Sequence, residues 1–169
     1  MTVLVGLACG GGGGGGGPTG PPPPAPGINF TPESNASAES VFLQQGGQTS
    51  AERLFLDVRV NQVEDFYGVA FDLEFPAHLL TWVDVDEGGF LGNNTSLEVV
   101  EGSPGVLVVG HTRLGSQQGQ NGSGILMTLE FLSAGTGSGQ FDFENEQAFR
   151  TNSFPQTVDF IAGTVSVQP

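Results

Sequence analysis

Two histidines, eighteen carboxylates, one tryptophan, one tyrosine and one cysteine are the residues of this chain with any claim to chemistry. Nucleophilic catalysis needs a Ser, Thr or Cys beside a base that a third group orients. His78 follows Pro76-Ala77, and His111 ends an apolar run beside a glycine-rich loop. Neither lies in a nucleophile motif, so both read as structural or solvent-facing. Two histidines so placed make a poor zinc site, because a third ligand would have to come from an unmarked carboxylate. Asp84-Val85-Asp86-Glu87-Gly88 begins as a calcium loop does, with alternating carboxylates able to surround a hard cation. Position twelve of such a loop would be Thr95 instead of glutamate. The run therefore reads as an acidic strand end, and Asp84, Asp86 and Glu87 stand only as a candidate calcium set, with no metal site assigned. Paired carboxylates for glycoside hydrolysis meet only in the fold, and a single Trp and a single Tyr leave little with which to line a sugar cleft. Trp82 and Tyr67 are better suited to carbohydrate binding, as amphipathic rings able to lie flat on a pyranose, although a strand Trp is more often packing. The run Gly119–Gly124 precedes an apolar strand instead of opening a helix, so it is a turn and no phosphate cradle. These residues predict no enzyme and no cofactor.

The charge balance narrows the partners. Eighteen acids stand against four arginines and no lysine, for a net charge of −14. Phosphate backbones need clustered cations, so nucleic acid is excluded. The acids are spread along the chain, as on a soluble, self-repelling surface of an exported protein. Cys9, the single cysteine, follows Val3-Leu4-Val5-Gly6-Leu7-Ala8 and precedes a glycine run. The segment resembles the lipobox of bacterial lipoproteins, which implies lipidation of Cys9; Gly6 and the short, uncharged segment before the cysteine depart from that pattern. No other segment reaches the roughly 18 apolar residues of a membrane span. Membrane contact is therefore expected only through a lipid anchor on Cys9.

Stepping from these residues to the elements that must hold them, residues 1–9 read as a signal or lipobox-like segment and 10–39 as a glycine/proline linker and polar lead-in. The domain proper is expected over 40–169, long enough for one core. From residue 40 apolar residues alternate in short runs bounded by turn residues, and no run has a helical period. Val41–Leu43 opens the sheet. Leu54, Leu56, Val58 and Val60 share one face, and Asn61–Asp65 reads as a polar turn into Phe66–Pro76, where Val69, Phe71, Leu73 and Phe75 face the core. Leu79–Asp86 places Trp82 with Leu80, Asp84 and Asp86 on one face. Leu97–Val100 and Val106–Gly110 form a hairpin with a loop of about five residues. Further strands follow at Ile125–Leu132, Phe141–Phe143, Val158–Ile161 and Thr164–Val167. About nine short strands without helical crossovers predict an all-β antiparallel sandwich, with jelly-roll wiring.

Taken in order, Tyr67-Gly68-Val69-Ala70-Phe71-Asp72-Leu73-Glu74-Phe75-Pro76, Leu79-Leu80, Val83-Asp84-Val85 and Gly89-Phe90-Leu91 resemble the early strands of cohesin modules. Gly122-Ser123-Gly124-Ile125-Leu126-Met127-Thr128-Leu129-Glu130-Phe131, Gly135-Thr136 and Gly163-Thr164-Val165-Ser166-Val167 continue the likeness through residues 40 to 168. Phe75-Pro76 departs from it, standing where many cohesins have tyrosine and aspartate. The resemblance implies a nine-stranded jelly-roll sandwich that is not an enzyme and that docks the dockerin module of another secreted protein through one sheet face. With the lipobox likeness at Cys9, it implies an exported protein, at the cell surface, in the outer membrane as a lipoprotein or extracellular, associated with polysaccharide binding or breakdown. A carbohydrate-binding module that contacts polysaccharide directly through Trp82 or Tyr67 is the alternative.

Overall fold

The computed structural model describes residues 27–169; Cys9 and the glycine/proline run as far as Pro26 lie outside the described residues. Eleven strands follow one another: β1 (Gly27–Pro32), β2 (Ser40–Gln45), β3 (Arg53–Glu74), β4 (Leu80–Glu87), β5 (Thr95–Ser103), β6 (Val106–Arg113), β7 (Gln120–Ser133), β8 (Gly137–Arg150), β9 (Pro155–Gln156), β10 (Asp159–Ile161) and β11 (Gly163–Gln168). The only helical element among the described residues is a single 3₁₀ turn, Thr151–Ser153.

The strands form a sandwich whose two layers share β3. Its first half pairs with β2 on one side and β7 on the other, and its second half pairs with β6 and β8. β4 extends the first layer beyond β7, and β5 extends the second beyond β6. β11 and β1 continue from the first half of β8. Every pairing is antiparallel except that of β10 with β2. The antiparallel jelly-roll sandwich expected from the alternation is what forms, with eleven strands in place of about nine. One added strand is β1, drawn from residues read as lead-in, which pairs with β11 across Ile28↔Val167 and Phe30↔Val165. Another is β9, which closes a hairpin onto Ala148 and Phe149.

The polar turn expected at Asn61–Asp65 does not form; β3 runs through it. Val63 is buried there, and the register with β7 shifts on either side of it. Gln62 and Asp65 take positive φ, 50° and 51°, and absorb the extra residues as bulges do. The freed backbone donors find side chains: Gln62 N–H donates to Ser123 Oγ at 2.9 Å, and Asp65 N–H to Asn121 Oδ1 at 2.7 Å. Polar residues that look like a turn are thus the means of carrying one strand from layer to layer.

Three other expectations are revised. The five-residue hairpin loop shrinks to two residues, since Ser103 pairs with Val106 around Pro104-Gly105, with Gly105 at φ +85° as the third position of such a turn requires. The strand predicted at Phe141–Phe143 extends to Arg150, because the polar run Glu144–Gln147 lies on a solvent-facing ladder with β3. In β4 a bulge at Val83 breaks the alternation. Trp82 and Val85 then lie against the core while Asp84 and Asp86 face water, so Trp82 does not share a face with those acids. The bulge also closes this edge strand to pairing, since Val85 N–H donates to Asp84 Oδ1 and Trp82 Nε1 to the Asp84 carbonyl.

Between the layers the core is a chain of phenylalanines. Phe71 meets Phe143 edge-on at 5.0 Å between centroids and both meet Phe160, joining the second layer to β10 of the first. Phe131 of β7 touches Phe75 at 5.2 Å and Phe141 at 5.5 Å. Phe131 has no exposed surface. Its replacement removes contacts to both layers at once, so Phe131→Ala is expected to cost about 3–5 kcal/mol in urea unfolding, at the level of the largest core truncations.

Candidate docking face

The outward residues of β5, β6, the second half of β3, and β8 lie in rows fixed by the ladder. One row is Ser96, Thr112, Gly68 and Phe149; the next is Glu98, Gly110, Ala70 and Gln147; the third is Val100, Val108, Asp72 and Glu144. β-branched and aromatic residues favour strand positions, yet the centre of this face holds Gly68, Ala70 and Gly110. Gly68 has a local reason, because a Cβ there would stand 2.7 Å from Thr112 Oγ1. Gly110 has none: a Cβ there would meet nothing within 4 Å. The result is a hollow of about 410 Å³ floored by Ala70 and Gly110 and walled by Tyr67, Glu98, Thr112 and Phe149. Val100 and Val108 flank it, 58% and 43% exposed, in a pair that costs solvation and gains nothing inside the domain.

The two outer faces differ in how their charges are spent. On the first layer Arg53 pairs with Glu130, Arg59 with Asp57, and Thr128 Oγ1 donates to Asp57 Oδ1 at 2.8 Å. On the second layer Asp72, Glu74, Glu98, Asp142 and Glu144 face out with no arginine among them. Among the described residues the one internal partner of these five is Asn145, held in a left-handed conformation at a bulge of β8, whose amide donates to Asp72 Oδ2 at 2.7 Å. The second layer thus combines a small-residue hollow, two exposed valines and an acidic rim with no arginine on one face.

Sequence-predicted site residues are dispersed. Trp82 is half-buried on β4 of the first layer. Tyr67 stands on the β3 half that belongs to the second layer, its hydroxyl donating to the Gly115 carbonyl at 2.7 Å. The two rings form no common platform. Asp84 binds its own chain, Asp86 faces water, and Glu87 turns to His111 and Thr95, so the three carboxylates do not converge. No cluster of three or more metal-ligating side chains occurs among the described residues. His78 is exposed, whereas His111 is buried on the inward side of β6. The small-residue floor escaped sequence reasoning; the signal was present in glycines placed inside strand runs at 68 and 110, which mark close approach to a strand.

His111 joins the layers. Its Nε2 lies 3.0 Å from Glu87 Oε1 at the end of β4, and Glu87 also accepts the Thr95 hydroxyl at the start of β5. The next inward residue of β6, Arg113, donates to the Leu91 carbonyl and to Gln117. Together they hold the 88–94 connection across the end of the sandwich. Burial keeps the His111 pKa below its ordinary 6.5 against the pull of Glu87, and the Thr95 and His111 hydrogen bonds keep Glu87 below 4.5.

No protein-family model matches the sequence, and a comparison with curated proteins finds no match. Solved structures do match. The sixth cohesin of scaffoldin B from Acetivibrio cellulolyticus, solved in complex with a mutant dockerin, superposes with a TM-score of 0.67 over 78% of this chain and all of that one, at 13% identity. The fold is that of a cohesin. A type II cohesin from Bacteroides cellulosolvens matches at TM-score 0.66 and 15% identity, covering 76% of this chain and 98% of its own. A non-cellulosomal cohesin from the archaeon Archaeoglobus fulgidus matches at 0.61 and 17% identity, covering 76% and 89%. These identities carry architecture and nothing finer.

In the cohesin-like sandwich the His111 clasp gives stability a defined pH dependence. An imidazole with a depressed folded pKa binds fewer protons folded than unfolded, so stability is full above 6.5 and falls as pH drops from 6.5 toward the folded value. The Glu87 contribution is lost in turn as pH falls below 4.5. Urea unfolding between pH 7 and 5 should show stability declining by up to about 1.4 kcal/mol per pH unit. His111→Gln should lower stability at pH 7 and flatten that decline. An unchanged slope in the variant would assign the effect elsewhere.

Proposed function

We propose that this chain is a non-catalytic docking module that receives a dockerin-type module of another secreted protein on the outer face of β5, β6, β3 and β8. The observation that carries this reading is the hollow over Gly110 and Ala70, flanked by exposed valines on the layer whose outer face holds carboxylates and no arginine, the first layer having Arg53 and Arg59 paired with its own acids. Cohesins of the same fold have been solved with dockerins bound, which supports the choice of partner class. A well-packed docked surface needs a shallow apolar centre and a polar rim, and this face has both. Its carboxylates suit a partner that presents Lys or Arg at the rim. Such charges set association rate and salt dependence more than final affinity.

The proposed setting is outside the cell, beside proteins that bind or break down polysaccharide. Cys9 would hold the module to a membrane by its lipid, with residues 10–26 as tether. Metabolic labelling with an alkyne fatty acid should mark the protein in its source cells and fail to mark Cys9→Ala.

Gly110→Trp tests the face directly. The added side chain has open space at its root, so it should fill the hollow and leave the unfolding free energy unchanged within about 0.5 kcal/mol. Against immobilised dockerin modules from the hydrolases of the same organism, biolayer interferometry should show specific binding that Gly110→Trp weakens at least about tenfold, a loss of about 1.4 kcal/mol. Raising salt from about 50 to 500 mM should slow association. Binding that ignores Gly110→Trp would place the contact on another surface, and no binding to any dockerin would remove the partner class.

A further inference from the structure

Beyond Phe149, where the docking face ends, a second and chemically different hollow opens between the β6–β7 connection and the tip of the β8–β9 hairpin. Its volume is about 380 Å³, within the range of small-ligand sites. Tyr67 forms part of it, Ser116 and Gln118 stand on one wall, and Asn152 and Ser153 stand on the other. None of its lining residues carries a formal charge, on a chain with eighteen acids. Ser116, Gln118, Asn152 and Ser153 spend no side-chain hydrogen bond on the described residues, whereas their neighbours Gln117 and Thr151 are fully engaged in holding the walls.

The hollow is also held in shape. Asp65, beside it, accepts the Gly119 N–H from the β6–β7 connection at 3.1 Å and the Thr151 hydroxyl from the hairpin tip. The Gly119 N–H also reaches Thr151 Oγ1 at 2.8 Å, so the two walls are tied to each other and to Asp65 of β3. The hydroxyl of Tyr67 is tied to the Gly115 carbonyl, which fixes the plane of its ring. Asn152 and Ser153 both sit in the left-handed region, at φ 65° and 61°. Two consecutive non-glycine residues there cost free energy, and the Arg150 N–H to Phe154 carbonyl bond at 2.7 Å closes the turn that holds them. The strained pair is what sets an amide and a hydroxyl on the rim.

We infer that this hollow binds a neutral oligosaccharide, with the Tyr67 ring as its apolar platform and the free amides and hydroxyls of both walls exchanging hydrogen bonds with sugar hydroxyls. Amide and hydroxyl side chains both donate and accept, as a polyol requires. An anionic ligand would find no cation among the lining residues and would sit near the Asp65 carboxylate, and a cationic ligand would find no carboxylate among the lining residues. Trp82 takes no part, since it lies half-buried in the other layer. The hollow adjoins the docking hollow and shares Tyr67 and Ser153 with it, so the two readings are told apart by Gly110→Trp, which touches only the docking face, and by changes at Gln118 and Asn152, which touch only this hollow.

Because the chain has one tyrosine and one tryptophan, the two rings report separately. Cellohexaose, xylohexaose and mannohexaose are titrated in turn into the protein, following the Tyr67 ring protons by NMR and Trp82 by fluorescence. At least one should shift the Tyr67 signals saturably and leave Trp82 emission unmoved. Asn152→Gly deletes one amide while relieving its left-handed strain, and Gln118→Ala removes the other at an exposed position. The double variant should bind at least about tenfold more weakly with an unchanged unfolding midpoint. Tyr67→Ala should abolish binding, and Tyr67→Phe should keep most of it. If none of the three saccharides shifts Tyr67 at about 10 mM, if Trp82 responds in its place, or if the double variant binds as well as the parent, the inference is overturned.

Discussion

Because β3 is hydrogen-bonded in both layers, the position of every other strand is set by how that one strand passes from the first layer to the second. Its first half fixes β2 and β7, and its second half fixes β6 and β8. The passage is made by two bulged residues at positive φ whose backbone donors are met by Ser123 and Asn121. A side chain's period in a strand is two, so a slip of one residue at the passage would turn the whole second half over. Val69, Phe71 and Leu73 would then face water, and Ala70 and Asp72 the core. The docking face and the phenylalanine core are two sides of that one register.

The same passage places Asp65 beside the neutral hollow, where it ties the β6–β7 connection to the hairpin tip. Its carboxyl lies below its ordinary range chiefly because the Thr151 hydroxyl bonds the charged form, so it acts as an ionised anchor. At the other polar seam, His111 and Arg113 fasten the 88–94 connection. In both places a polar group from the end of one layer closes the sandwich onto the other. Hydrophobic packing holds the layers together in the middle, and directional hydrogen bonds fix how their ends meet.

Alternation along the chain gave the core nearly residue by residue. Leu54, Leu56, Val58 and Val60, and then Val69, Phe71, Leu73 and Phe75, are buried as their spacing requires. The pattern also gave the antiparallel class, because polar positions interleave with apolar ones. It misread Asn61–Asp65 because bulge residues and turn residues share the same polar composition and the same tolerance of left-handed φ. It set Asp84 and Asp86 on the face of Trp82 because a single bulge at Val83 inverts the alternation after it, and a bulge is a property of the paired strand, not of local sequence.

What the sequence determined by itself was a one-core all-β domain, an acidic surface without cations for nucleic acid, and the absence of any nucleophile motif. Each follows from composition and local spacing, which need no partner strand to be evaluated. Which face could receive another protein was decided only by tertiary structure. Gly68, Ala70 and Gly110 lie on two strands far apart in the chain, and they become one floor only through the β3–β6 register. Likewise, Tyr67 joins Gln118 and Asn152 only because Asp65 draws two distant connections together. Contact between residues forty or more positions apart is set by pairing and packing, and no local periodicity encodes it.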